Sequence, residues 1–297
     1  MFRCSVSFLR VVNRRGNPVD IYKPTGPYES CMYAFTILGD GAEDALERLL
    51  PALNGRVGVV RTGSTTASDG GVTRTRAVQA DTVYTLEETW SAAGDDLTIE
   101  DALDRLAIDH DYAAVVGTPV TRTPTIVVGD AAVDDVTVID EIDDATSFDP
   151  EAVVAAIDET EPHETLESLV AAVKRSPNAE RSGAIATFTG RVRAKEHPDD
   201  ERTQYLEFEK YDGVADRRMR TIESELTERE GVLDVKLHHR TGRIDDGEDI
   251  VFVVVLAGHR DEAFRTVEDG INRLKDEVPL FKKEVTESET FWVHERE

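Results

Sequence analysis

Apolar positions divide the chain into two differently organised halves. In the first, 33–38 reads as a strand, Gly39-Asp40-Gly41 as a turn, and 42–53 as a helix with Ala45, Leu46, Leu49 and Leu50 inward. A strand at 57–61, a Gly/Ser/Thr-rich loop at 62–71, a β-like run at 72–84 and a short helix at 99–106 follow. Apolar runs at 112–116 and 125–128 complete the alternation, which predicts an α/β layer with parallel strands. Residues 130–161 are dense in Asp and Glu around a short apolar helix at 153–157, and the boundary is placed near Glu159.

The second half opens on an amphipathic helix, 163–174, with Leu166, Leu169, Val170 and Val173 as its stripe. Strands are expected at 184–192, 205–211, 232–244, 250–256 and 291–293. A long helix occupies 212–230, and 232–244 pairs with 250–256 as a hairpin across Asp245-Asp246-Gly247. Strict βαβ alternation is absent, so this half reads as α+β.

One stretch of the second half concentrates chemistry. The β-branched run 250–256 leads into His259-Arg260, and a helix follows with Phe264, Val267, Ile271 and Leu274 recurring at helical spacing. Pro279 stops that helix just after Lys275 and redirects the chain toward Lys282, so the two lysines are expected to converge on one pocket.

Charge sharpens this picture. The chain has 34 basic against 60 acidic residues, a net charge of -26, with 8 lysines against 26 arginines. Such acidity excludes a nucleic-acid partner. It suits the surface of a protein in a very salty cytosol, where a Debye length of about 3 Å at 1 M salt screens self-repulsion. No apolar run nears the roughly 18 residues needed to cross a membrane, so a cytoplasmic protein is expected. Both cysteines, Cys4 and Cys31, fall in the first 31 residues, leaving the body with neither a disulfide framework nor a Cys metal site. That first segment carries five basic residues against two acids, and is read as a disordered extension or a mis-chosen start ahead of Met32.

The glycine turn at 39–41 fails as a phosphate loop. A P-loop needs GxxxxGK followed by Ser or Thr, whereas 38–45 reads LGDGAEDA, and 32–159 contains no lysine. His238-His239 could suggest a metal, but neighbouring positions on a strand point to opposite faces, so no metal site is expected. In the second half Arg191, Arg193, His259, Arg260, Lys275, Lys282 and Lys283 each lie near the end of an element. Arginines grouped with a histidine suit an anionic, phosphate-like ligand, and a lysine inside such a group has its charged form disfavoured.

Gly190-Arg191-Val192-Arg193, 206–211 (LEFEKY), His239-Arg240-Thr241-Gly242, His259-Arg260 and above all 274–284 (LKDEVPLFKKE) resemble, in order and spacing, the large catalytic subunit of molybdopterin synthase over about 163–293. The resemblance implies an α/β-hammerhead type of α+β domain at 160–297. It implies transfer of two sulfurs to cyclic pyranopterin monophosphate, giving molybdopterin, with no cofactor of its own. The implied donor is a small ubiquitin-like sulfur-carrier protein with a C-terminal thiocarboxylate, bound to a homodimer within a heterotetramer. A body without cysteine cannot carry a persulfide, which independently requires sulfur to arrive on another molecule. By the same resemblance Lys275 and Lys282 are catalytic, while Arg191, Arg193, His259, Arg260, Lys283 and Glu284 bind substrate. The resemblance also offers Arg296 as a candidate contact to a neighbouring subunit's site. Phe281 stands where a tryptophan is usual. A non-catalytic scaffold for the modifier or cofactor intermediates is the competing class. The first half, 32–159, is similar to the GTP-binding protein of molybdopterin-guanine dinucleotide biosynthesis through its opening strand and helix, 111–117 and 124–130. It would then be a degenerate P-loop-like layer retaining that fold without hydrolysis.

Overall fold

The computed structural model describes residues 8–12, 18–22, 31–61, 82–86, 90–94, 96–131, 133, 136–146, 148–211, 213–286 and 290–293. Strands β1 (Phe8–Val12) and β2 (Pro18–Tyr22) pair antiparallel, Phe8 opposite Tyr22. These two segments fall within the stretch read as a disordered extension or a mis-chosen start, and their β-branched content favours pairing. Its remainder, like the loop at 62–71, lies outside the described residues.

The first half continues with β3 (Tyr33–Gly39), α1 (Ala42–Leu49), β4 (Val57–Arg61), a hairpin of β5 (Thr82–Leu86) and β6 (Trp90–Gly94), and α2 (Ile99–Ala107). It closes with β7 (Tyr112–Val116), β8 (Thr125–Val128), β9 (Val138–Ile142) and α3 (Pro150–Asp158). Five strands form one sheet, in the order β4-β7-β3-β8-β9, and every pair is parallel. The central strands are buried along their length, as β-branched runs covered on both faces should be. β6 and β9 were not expected. β9 is an edge strand that buries only Ile142 completely, so its sequence carries little apolar signal. The helix expected at 42–53 ends at Leu49, and Pro51 lies in a 3-10 turn at Leu50–Ala52. Gly39 is required where β3 meets α1: its φ is 109°, and a Cβ there would lie 2.0 Å from the Val128 carbonyl oxygen.

The second half comprises α4 (Leu166–Lys174), β10 (Ala184–Arg191), β11 (Thr203–Lys210), α5 (Val214–Thr227), β12 (Val232–His239) and β13 (Gly242–Asp245). Then come β14 (Asp249–Ala257), α6 (Arg260–Glu277), β15 (Leu280–Thr286) and β16 (Thr290–Val293). α4 starts later than expected because Thr165 and Ser168 form a reciprocal cap. Two antiparallel sheets result, β10-β14-β12 and β13-β11-β15-β16. The single strand expected at 232–244 is therefore wrong. β12 pairs with β14, but at Gly242, φ 75°, the chain turns away and β13 joins β11 in the other sheet.

β14 is the spine of this half. Val251, Val253, Val255 and Ala257 pack with α5 and α6, while Phe252, Val254 and Leu256 pack with Leu169 and Val173 of α4. On α6 the buried residues are Ala263, Thr266, Val267, Gly270, Ile271 and Leu274. Phe264, expected inward, is 66% exposed, because Ala263 and Val267 already occupy the sheet-facing side. Gly270 permits the close approach, since a Cβ there would meet Val253 at 3.0 Å. Among the described residues no helix is long and apolar enough to cross a membrane.

At the end of β12, His238 stacks on Phe252 at 6.3 Å, while His239 meets Phe208 edge-on at 4.7 Å. Burial pushes their imidazoles down to about 3 and about 4, with the nearby Lys210 adding to the effect. The unfolded chain then binds more protons than the folded one below the ordinary histidine range. Stability attributable to this pair is complete above about pH 6.5 and declines as pH falls toward the depressed values. Urea unfolding between pH 7.5 and 4.5 should show a shallower loss of stability in His238→Gln than in the wild type; equal slopes would contradict the assignment.

Candidate active site

A cavity of about 910 Å³ opens between the two sheets of the second half, lined by the end of β10, the centre of β11, the start of β14, the last turns of α6 and the start of β15. Its floor is apolar: Leu206, Phe208, Ile250, Val251, Ile271 and Leu274. Its charged groups are Arg191, Arg193, Lys275 and Lys282, facing Glu196 and Glu284. A net positive cavity in a chain of charge -26 favours an anion over a cation by elementary electrostatics.

Each cation is placed by a local feature. At a bulge between Gly190 and Arg191, β10 slips its register against β14. Gly190 is needed there, since a Cβ would lie 2.6 Å from Val251 Cγ1. Beyond the bulge, Arg191 donates to the Gly247 carbonyl and its Nε lies 3.1 Å from Asp249. Arg193 pairs with Glu196 at 3.1 Å on the rim. Lys275 sits in the last turn of α6, where the negative end of the helix dipole favours an ammonium, and it has no ion-pair partner among the described residues. That turn is stiffened by Arg273, which donates to Glu277 at 2.8 Å and also reaches Glu225, while Arg218 of α5 donates to Glu277 from the other side. These bonds raise the Arg273 guanidinium and hold the Glu277 carboxyl below its ordinary range.

On β15, Leu280, Lys282 and Glu284 face the cavity, with Lys282 opposite Phe208 in register. Glu284 accepts a hydrogen bond from the Thr203 hydroxyl. Phe281 is 45% exposed at the mouth and meets the exposed ring of Tyr211 edge-on at 5.6 Å. Of the residues singled out in the sequence, the fold thus brings together Arg191, Arg193, Lys275, Lys282 and Glu284.

Three others lie away from this cavity within one chain. Lys283 belongs to the opposite face of β15, because side chains alternate along a strand, and it pairs with Glu207 at 2.8 Å. His259 and Arg260 stand exposed at the first turn of α6, about 22 Å along the axis from Lys275 at 1.5 Å per residue. Within one chain they do not reach the cavity. Arg296 lies outside the described residues.

Sequence reading gave no site role to Thr203, to Tyr211 or to His239, although the last two stand in the motifs that carry the resemblance. His239 lines the cavity and bonds through Nδ1 to the Arg240 carbonyl at 2.7 Å; because that oxygen can only accept, Nδ1 carries the proton and Nε2 is an acceptor. A neutral buried histidine leaves no sequence signal distinct from core. No group of three or more His, Cys, Asp or Glu able to hold a metal occurs among the described residues.

The family model described as MoaE protein matches residues 159–277. A protein from Haloferax volcanii named a probable molybdopterin synthase is 50% identical over 265 residues, covering 89% of this chain and all of that protein. A molybdopterin synthase catalytic subunit from Pyrococcus abyssi is 35% identical over 112 residues, 38% of this chain and 74% of its own. The crystal structure of a molybdopterin synthase from Staphylococcus aureus aligns at 34% identity over 39% of this chain and 82% of that one, with a TM-score of 0.36.

The face assignment on β15 has a direct test in the affinity for inorganic phosphate. Arg191→Ala and Lys282→Ala should each weaken it about tenfold, as loss of a charge-assisted hydrogen bond implies, while Lys283→Ala changes it less than about twofold. An equal loss in all three variants would count against the cavity as the anion site.

Proposed function

We propose a function from one premise: the chain belongs to the molybdopterin synthase family. Its second half acts as the catalytic subunit, a sulfurtransferase of molybdenum cofactor biosynthesis, converting cyclic pyranopterin monophosphate to molybdopterin. The observation that carries this reading is the convergence of Lys275 and Lys282, from a helix end and a strand, on one cationic cavity. Arg191 and Arg193 hold the substrate phosphate, and the apolar floor takes the ring system. Sulfur arrives as the C-terminal thiocarboxylate of a small ubiquitin-like carrier, whose tail enters past Phe281 and Tyr211 and excludes water. Lys275 assists attack at the pterin or the proton transfer that accompanies it, and Lys282 stabilises charge on the reacting oxygens. No cofactor is required by this chemistry. A homodimer within a heterotetramer would place His259 and Arg260, remote from the cavity of their own chain, against another subunit.

The finer reading of the first half is a degenerate P-loop-like layer in a cytoplasmic, salt-adapted protein. Support comes from the central position of β3 in the parallel sheet and the glycine turn leading to α1. The turn offers acids in place of cations: Glu43, in the first turn of α1, is paired with Arg61 at 2.8 Å. Retention of the fold without hydrolysis follows, and equilibrium dialysis should detect no GTP binding.

Single-turnover conversion of the cyclic pyranopterin with thiocarboxylated carrier at high salt tests the main reading. Wild type should form product and Lys275→Ala at least about a hundredfold less, while still binding the carrier. Absence of product from a folded, carrier-binding wild type would make the protein a scaffold.

A further inference from the structure

The first half of the chain and the linker grip the catalytic half at both ends of one short strand. β13 follows the change of sheets and pairs with β11, whose Leu206 and Phe208 line the cavity. Immediately before it, the Thr241 hydroxyl donates to Glu161 of the linker. Immediately after it, Arg122, from the connection between β7 and β8, donates to both carboxylate oxygens of Glu248 at 2.5 and 2.6 Å.

Glu248 is a structural member of the turn that presents Arg191. Its Oε2 accepts from the Asp245 backbone N–H at 2.6 Å, and its carbonyl accepts from the Val192 N–H at 2.9 Å. Gly247 donates to the Val192 carbonyl at 2.9 Å, and Arg191 takes both the Gly247 carbonyl and Asp249. The other three acids of the turn, Asp245, Asp246 and Asp249, are paired with arginines of the catalytic half itself. Glu248 is paired with an arginine from the first half. Without Arg122 its carboxylate would compete for the neighbouring Arg191, and a guanidinium neutralised twice binds an external anion poorly.

We propose that Arg122 is a positioning residue for the anion site: the first half of the chain braces the 245–249 turn through Glu248 and so keeps the Arg191 guanidinium directed at the cavity. This rests on the reading of Arg191 as the phosphate-holding group. An exposed ion pair of this kind contributes little to global stability, so the effect should appear in binding.

The test is the affinity of the full chain for inorganic phosphate, with melting temperature measured in parallel, for wild type, Arg122→Gln, Arg122→Lys, Arg191→Ala and the double variant Arg122→Gln/Arg191→Ala. Arg122→Gln should weaken binding about fivefold with little change in melting temperature, and Arg122→Lys should recover part of it. In the Arg191→Ala background the Arg122→Gln change should add nothing, since it acts through the group already removed. Wild-type affinity in Arg122→Gln, or an undiminished further loss in the double variant, overturns the proposal, as does wild-type affinity in Arg191→Ala. Turnover assayed separately distinguishes the two readings: product formation with phosphate binding indifferent to Arg122 leaves the enzyme and removes the brace, and the converse pattern leaves the brace and removes the enzyme.

Discussion

The covering of both faces of β14 is the constraint on which the catalytic half depends. A strand whose residues 250–257 are all buried must have helices on either side, and α4 and α6 supply them. Burying side chains of this size contributes roughly 1.5–3 kcal/mol each, well beyond the 0–1 kcal/mol of an exposed ion pair, so the sheet sets the geometry and the charges adapt to it. With β14 fixed, β10 is held along its edge until the bulge at Gly190 releases Arg191, and α6 lies across the sheet with its last turn over the seam. The cavity is the space left where two such sheets cannot close on each other.

The acidic surface and the cationic cavity are two aspects of one arrangement. Many cations among the described residues are paired with nearby carboxylates, as Lys283 is with Glu207 and Arg193 with Glu196. Lys275 stands apart because it occupies a helix end whose neighbouring carboxylate, Glu277, is committed to Arg273 and Arg218. The same acids that neutralise the surface thereby leave the helix-end ammonium available to a ligand.

Much of this was legible beforehand. The parallel sheet followed from short β-branched runs separated by glycine turns, and the meeting of Lys275 with Lys282 followed from Pro279. What escaped reading depended on contacts distant in sequence. β9 is an edge strand with little apolar content, and β13, Gly-Arg-Ile-Asp, carries one apolar residue, while the change of sheet at Gly242 leaves no mark beyond one glycine. Lys282 and Lys283 are equivalent by composition, and only the register of β15 against β11 decides which of them enters the cavity. His259 and Arg260 share a helix with Lys275, and helix length alone separates them. His239 and Tyr211 stood within the motifs that carry the resemblance but drew no site role, because a neutral buried imidazole and an exposed phenol are ordinary in any fold.

The distribution of primary amines follows from these placements. Residues 32–159 contain no lysine, and three of the chain's 8 lysines fall between 275 and 283. Across 32–159 guanidinium groups, inert toward acyl donors at neutral pH, supply the positive side-chain charge. Two of the side-chain amines, Lys275 and Lys282, line the cavity, and a carrier presenting an activated acyl terminus there meets them before any other amine. Chemical footprinting with acylating reagents would in consequence read the state of the catalytic half and remain silent on the parallel sheet.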